Sequence, residues 1–280
     1  MPELPEVEAT RRHLRPAIEG NVIAGFEVRR PRMLRRQPRP ADAADRAAGR
    51  RVTEVGRHGK FLMIGLDGDL TWVMHLGMSG RVALASAGEE EAAHTNVVVH
   101  FRDGAEVRLV DPRTFGFVSV LTPDEVATGP LGALGPDALT ALPPWEDLAR
   151  AMAGRVVPIK PLLLDQRFVA GIGNIYADEI LHRAGVHPAR PAGELGAGEV
   201  QRLRDAVLPV LEDGLAHGGT SLDDLAYLLP DGRAGEYLHR LRVYGRHGLA
   251  CPVCGTGVER LVLRQRSTFF CPECQPVGER

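Results

Sequence analysis

Residues 251–274 read CPVCGTGVERLVLRQRSTFFCPEC, and all four cysteines of the 280-residue chain, Cys251, Cys254, Cys271 and Cys274, lie in this stretch. Two Cys-x2-Cys pairs separated by 16 residues have the spacing of a four-cysteine zinc site. Pro252, Pro272 and Gly255 beside the cysteines are the residues that tight metal-binding knuckles require. Two disulfides are the alternative pairing, but nothing else in the chain signals secretion. With four sulfur ligands and no open position, one zinc ion would hold a fold together and not catalyse. Between the knuckles, LVLRQRSTFF (261–270) reads as a hairpin carrying Arg264 and Arg266, placed to present an arginine to phosphate.

Upstream of this segment the pattern is helical: Trp145–Ala153, Ile159–Gln166, Asn174–Ala184 and Gly198–His217 are the expected helices. The loop FVAGIG (168–173) leads into the helix at Asn174 and would turn backbone amides toward its N-terminus. Residues 123–144, with repeated GP, PD and PP pairs, read as a linker. Before them, from Val22 to Val120, come short β-rich runs broken by Gly, Pro and Asp: VIAGFEVRR, GKFLMIGLD, LTWVMHLGM, TNVVVHFRDG, AEVRLVD and FGFVSVL. Their spacing suggests an antiparallel sandwich or barrel. An amphipathic helix, Pro5–Ile18, precedes them, with Val7, Leu14 and Ile18 on one face and Glu6 and Glu8 in its first turn.

Composition sets bounds. At 44% hydrophobic and 25% charged residues the chain is an ordinary globular protein, not a disordered one. No apolar run approaches the roughly 18 residues of a membrane span, and no secretory leader is visible, so an intracellular, cytoplasmic protein is expected. The net charge of −2 conceals basic ends: residues 1–60 hold 14 Lys/Arg against 8 Asp/Glu, residues 238–280 hold 7 against 3, and the middle is acidic. Two basic segments could converge on a phosphate backbone. Of the 34 basic residues only Lys60 and Lys160 are lysine, which marks them as positions needing a compact amine that can exchange a proton. At the N-terminus Met1 before Pro2 is normally removed. Proline would then be left as a free secondary amine beside Glu3 and Glu6, a combination suited to covalent catalysis.

MPELPEVE (1–8), HLGMSG (75–80), DPRTFG (111–116), IKPLLLDQ (159–166), GIGNIYADE (171–179), VYGR (243–246) and the cysteine segment with QRSTFFC together closely resemble the bacterial formamidopyrimidine-DNA glycosylases, in order and over nearly the whole chain. The resemblance implies an α+β multidomain architecture. It comprises an N-terminal antiparallel β-sandwich domain with an N-terminal helix (1–130), a helical domain with a helix-two-turn-helix and a lesion-capping segment (131–240), and a four-cysteine zinc finger (241–280). It implies a monomeric repair enzyme that removes oxidised purines from duplex DNA and then cuts the strand by β- and δ-elimination. By the same resemblance Pro2 is the nucleophile, Glu3 protonates the opening sugar, Lys60 serves β-elimination and Arg266 serves δ-elimination, more credibly as a phosphate clamp than as an acid. Met78, Arg113 and Phe115 fill the gap left by the flipped lesion. His75, His94, Arg155, Lys160, Asn174 and Tyr244 contact the DNA backbone or the lesion strand, and the partner is damaged double-stranded DNA, in a cytoplasmic, nucleoid-associated setting. Within 218–246 the capping segment is more acidic and apolar than the family pattern. Two rivals stay open. One is an endonuclease VIII type enzyme for oxidised pyrimidines, against which Leu4 argues because that branch reads glycine there; the other is a non-catalytic zinc-dependent lesion-binding protein.

Overall fold

The computed structural model describes residues 2–221 and 227–278. These form two compact units: residues 1–133 with 215–238, and residues 134–214 with 239–280. The division is discontinuous, because the chain returns to the first unit before completing the second.

The first unit begins with α1 (Leu4–Ile18), which buries Leu4, Val7, Leu14 and Ile18. Two four-stranded antiparallel sheets follow. One has the order β1 (Ile23–Val28), β6 (Thr95–Phe101), β7 (Ala105–Val110), β5 (Arg81–Ser86); the other is β2 (Val52–His58), β3 (Phe61–Leu66), β4 (Leu70–His75), β8 (Phe117–Leu121). Valine, isoleucine and leucine of both sheets enter one core, and Phe26 of β1 meets Trp72 of β4 edge to face at 5.7 Å, so the sheets form a sandwich. Strands β2 and β5 do not appear among the runs expected from sequence; in both, charged and small residues interrupt the apolar positions. Short helices α2 (Asp42–Ala47) and α3 (Pro123–Thr128) lie outside the expectation as well, α3 within the stretch read as linker.

The second unit holds α4 (Trp145–Met152), α5 (Ile159–Leu163), α6 (Asn174–Ala184) and α7 (Ala197–Ala216), and ends in the hairpin of β9 (Glu259–Leu263) and β10 (Arg266–Phe270). Its buried side chains include Ile159, Leu162, Ile175, Tyr176, Ile180, Leu203 and Leu211. The FVAGIG loop into α6 is held by Gln166, whose Nε2 donates to the carbonyls of Leu164 and Ile172 and whose Oε1 accepts the Gly171 N–H. Of the capping segment, residues 222–226 lie outside the described residues. Its described flanks pack within the first unit, Tyr227 against Ala9 and Pro230 O accepting the Leu84 N–H. Among the described residues no helix is long and apolar enough to cross a membrane.

Candidate active site

Pro2, Glu3 and Glu6 are all buried at the start of α1. Glu3 is the N-cap, and its N–H donates to Glu6 Oε2 at 2.7 Å. Glu6 Oε1 accepts the Thr220 N–H at 2.7 Å, while its carbonyl accepts the Thr10 hydroxyl and the Tyr227 hydroxyl. Gly219 makes this clamp possible: at φ +82° a Cβ there would lie 2.7 Å from Glu6 Cγ. Both oxygens of Glu6 thus accept backbone amides, and the carboxylate ties the Glu3 N–H at the start of α1 to Thr220.

Lys60 stands in the turn between β2 and β3, only 7% exposed. Its charge presses on His75, whose ring lies between Phe61 (4.8 Å) and Phe117 (5.4 Å). Burial first, then the positive charges of Lys60 and Arg35, lower the His75 pKa to about 4, so the ring is neutral. Its Nδ1 accepts the Gly77 N–H at 3.1 Å, which leaves only Nε2 for any contact with DNA.

That bond begins a rigid pair of loops. Residues 76–80 and 111–116 are tied together by Asp111, fully buried, which sequence reasoning passed over. Asp111 Oδ1 accepts the Ser79 hydroxyl at 2.7 Å and the Arg113 N–H, and Oδ2 accepts the Gly116 N–H at 2.6 Å. Gly77 packs directly on the Phe115–Gly116 peptide, where a Cβ would come within 2.4 Å of Phe115 C. Arg35 adds donors to the carbonyls of Phe115 and Gly116. The only earlier signal for Asp111 was the turn-forming Asp-Pro at the head of its motif. Out of this frame project Met78, 39% exposed, Phe115, 42% exposed, and the exposed Arg113. Exposed His94, with φ +65°, shares a hollow with Arg30 and Arg32.

In the second unit Lys160 is 0% exposed. Its Nζ pairs with Asp178 at 2.7 Å and donates to Ser267 O at 2.9 Å and Thr268 Oγ1 at 3.0 Å. Its three protons thus have acceptors in Asp178, Ser267 and Thr268. Desolvation raises the Asp178 carboxyl, against the pull of Lys160 and of the Phe269 N–H it accepts. Asn174 Nδ2 also donates to Ser267 O. Together Lys160, Asn174 and Asp178 stitch β10, the strand that starts at Arg266, to helices α5 and α6. Arg264 and Arg266 are exposed at the hairpin tip, and Arg264 and Gln265 both take positive φ. Buried Glu179, the second missed carboxylate, accepts the N–H groups of Arg242, Val243 and Tyr244, and Tyr244 packs on Phe269. Desolvation raises the Glu179 pKa against those three amides. Two adjacent acids amid the apolar residues Ile175, Tyr176, Ala177, Ile180 and Leu181 were the available signal. Arg155 is exposed over the Phe168 ring.

The four cysteine sulfurs lie within 4.8 Å of one another, with 3.9 Å for Cys251–Cys274 and 3.4 Å for Cys254–Cys271. A tetrahedron with arms of about 2.3 Å has edges of about 3.8 Å, so this set fits zinc. The amides of Val253 and Cys274 point at Cys251 and Cys271 Sγ, as knuckles provide, and His182 Nε2 stands 3.4 Å from Cys251 Sγ. Zinc here organises the 251–274 segment.

Comparisons with known proteins agree with this layout. The model of the formamidopyrimidine-DNA glycosylase N-terminal domain matches residues 1–118, that of its H2TH domain residues 134–225, and a zinc finger found in FPG and IleRS residues 248–277. The chain is 44% identical over 276 residues to a formamidopyrimidine-DNA glycosylase of Rhizorhabdus wittichii, covering 98% of this chain and 100% of that protein. It is similar to the crystal structure of MutM (Fpg) from Thermus thermophilus at 41% identity and TM-score 0.88, covering 99% and 100% of the two chains. It is also similar to Lactococcus lactis Fpg in complex with abasic-site DNA, at 29% identity and TM-score 0.89, covering 98% and 100%.

Proposed function

The chain belongs to the formamidopyrimidine-DNA glycosylase family, and from that premise we propose how its own residues act as a base-excision DNA glycosylase for oxidised purines with the family's strand-cleaving lyase activity. With Met1 removed, the Pro2 nitrogen attacks C1′ of the damaged nucleotide, and the bond from C1′ to the base breaks, the base leaving with its electrons and taking up the proton the Pro2 nitrogen gives up. Glu3 gives its proton to O4′ as the sugar ring opens, leaving an iminium between Pro2 and C1′. The iminium accepts the electrons of the C2′–H bond when Lys60 takes that proton, and the 3′-phosphate leaves. Loss of the C4′ proton to water then drives a second elimination that releases the 5′-phosphate, with Arg266 binding the phosphate charge, and water frees Pro2. Zinc, when bound, supplies only the order of the hairpin bearing Arg264 and Arg266. Met78 and Phe115 occupy the gap of the flipped nucleotide and Arg113 faces its orphaned partner. Arg155, His94, Asn174 and Tyr244 bind the backbone, and the enzyme acts as a monomer on nucleoid DNA in the cytoplasm.

The observation that carries this reading is the exposure of Met78 and Phe115 on loops immobilised by Asp111. Two large apolar side chains held rigidly in water are a cost to an isolated protein and a wedge for a DNA base step. An 8-oxoguanine:cytosine duplex should be cleaved with phosphate at both ends of the gap, and borohydride should trap a covalent adduct that disappears when Pro2 is blocked by an N-terminal extension. Faster cleavage of a thymine-glycol duplex would favour the pyrimidine enzyme, and trapping by the blocked protein would refute Pro2.

A further inference from the structure

Buried Glu8 receives three arginines. Arg11 reaches it through Nε and Nη2 at 2.9 and 2.8 Å, Arg12 through Nε at 3.0 Å, and Arg57 through Nε at 3.1 Å. Arg11 and Arg12 share α1 with Glu8, and Arg11 also reaches β2 through Nη1, which donates to the Val55 carbonyl at 3.3 Å, but among the described residues neither is seen to reach the Lys60 turn. Arg57 differs, for it lies on β2, and its side chain is 2% exposed. While its Nε holds Glu8, its Nη1 donates to the carbonyl of Gly59 at 2.8 Å, and Gly59 is the residue before Lys60 in the β2–β3 turn. One planar guanidinium thus spans from the helix whose first residues follow Pro2 to the turn that carries Lys60. Five residues of helix, about 7.5 Å, separate Glu8 from Glu3, so the span fixes one end of a short rigid path between the two groups.

We infer that Glu8 and Arg57 are positioning residues for the elimination step, holding the Lys60 turn in register with the Pro2 end of α1. The inference rests on the roles of Pro2 and Lys60 proposed above. Proton removal at C2′ needs the Lys60 ammonium's conjugate base within hydrogen-bond reach of an iminium that Pro2 itself carries, so the spacing of the two elements enters the rate. Nothing in the glycosidic step needs that spacing, since attack at C1′ uses only Pro2 and Glu3. Lysine at 57 keeps the charge but is a single-point donor without the fork, and cannot hold Glu8 and the Gly59 carbonyl in one plane.

The test compares the parent, Arg57→Lys, Lys60→Gln and the double variant on a preformed abasic duplex, reading strand cleavage in single turnover and the yield of borohydride-trapped adduct. Arg57→Lys should slow cleavage about tenfold while trapping stays within about threefold. In the Lys60→Gln background it should cost less than twofold more, because residues acting through one another are not additive. Glu8→Gln should move cleavage in the same direction and carries the test alone if Arg57→Lys does not fold. A loss of trapping as large as the loss of cleavage, parental cleavage by both variants, or losses that multiply in the double variant would overturn the inference. A parent that traps nothing would instead overturn the Pro2 reading on which it stands.

Discussion

Chemistry in this chain is set by side chains that never meet substrate as much as by those proposed to. Asp111 accepts three donors from two loops, and an amide at that position must turn an NH2 toward at least one of them. Asp111→Asn should therefore cost about 1–3 kcal/mol in urea unfolding. It should slow excision of 8-oxoguanine by at least about tenfold, because Met78, Arg113 and Phe115 lose their frame, while cleavage at a preformed abasic site changes less. Equal losses on both substrates would mean that the loops only support the fold. The two lysines make a related point. Their rarity among 34 basic residues singled out both positions, and both are interior: Lys60 in the β2–β3 turn, Lys160 fully buried against Asp178 and Thr268. Rarity exposed the need for a compact amine, but not whether that need was chemistry or packing.

At the scale of elements, the β9–β10 hairpin is secured by two independent devices. One is the sulfur cluster; the other is the grip of Lys160, Asn174 and Asp178 on β10. A closed zinc site contributes its binding free energy to local folding. Chelation should release one zinc, as counted by native mass spectrometry, abolish DNA binding and expose the amides of residues 248–277 to hydrogen exchange, while the two sheets of the first unit keep their protection. Undiminished cleavage by the metal-free protein would show that Arg264 and Arg266 do not depend on the metal for their placement. The helix boundaries were the most legible elements: α6 runs over the expected residues and α4 and α7 are within one residue at each end, because apolar periodicity and flanking Pro or Gly are local signals. Strands β2 and β5 were not legible because charged or small residues fill most of their positions: β2 reads VTEVGRH and β5 RVALAS.

For the molecule as a whole, acid stability follows from the same arginine cluster. Burial works to raise the Glu8 pKa, but the hydrogen bonds of Arg11, Arg12 and Arg57 bring it down to about 2 from an ordinary 4.5. A carboxyl depressed in the folded state contributes stability above its unfolded pKa and loses it as pH falls through the folded one, here between about pH 4.5 and 2. The contribution is about 3 kcal/mol when complete. Urea unfolding of the parent and Glu8→Gln should differ by roughly that amount at pH 6, and by less than half of it at pH 3. A difference independent of pH would place the stabilisation in packing and not in charge.

The sequence by itself determined the four-cysteine cluster, the basic ends and the order of motifs, because each is written in adjacent residues or in short spacings. Only the tertiary structure decided which groups the buried Glu6 and Lys160 bind, that His75 is neutral with Nδ1 committed, and that Asp111, Glu179 and Arg57 tie separate segments together. The reason is physical. A side chain's burial, protonation and free donors depend on partners far off in the chain, 49 residues away for Arg57 on Glu8 and 214 for Glu6 on Thr220, and no local pattern encodes who those partners will be.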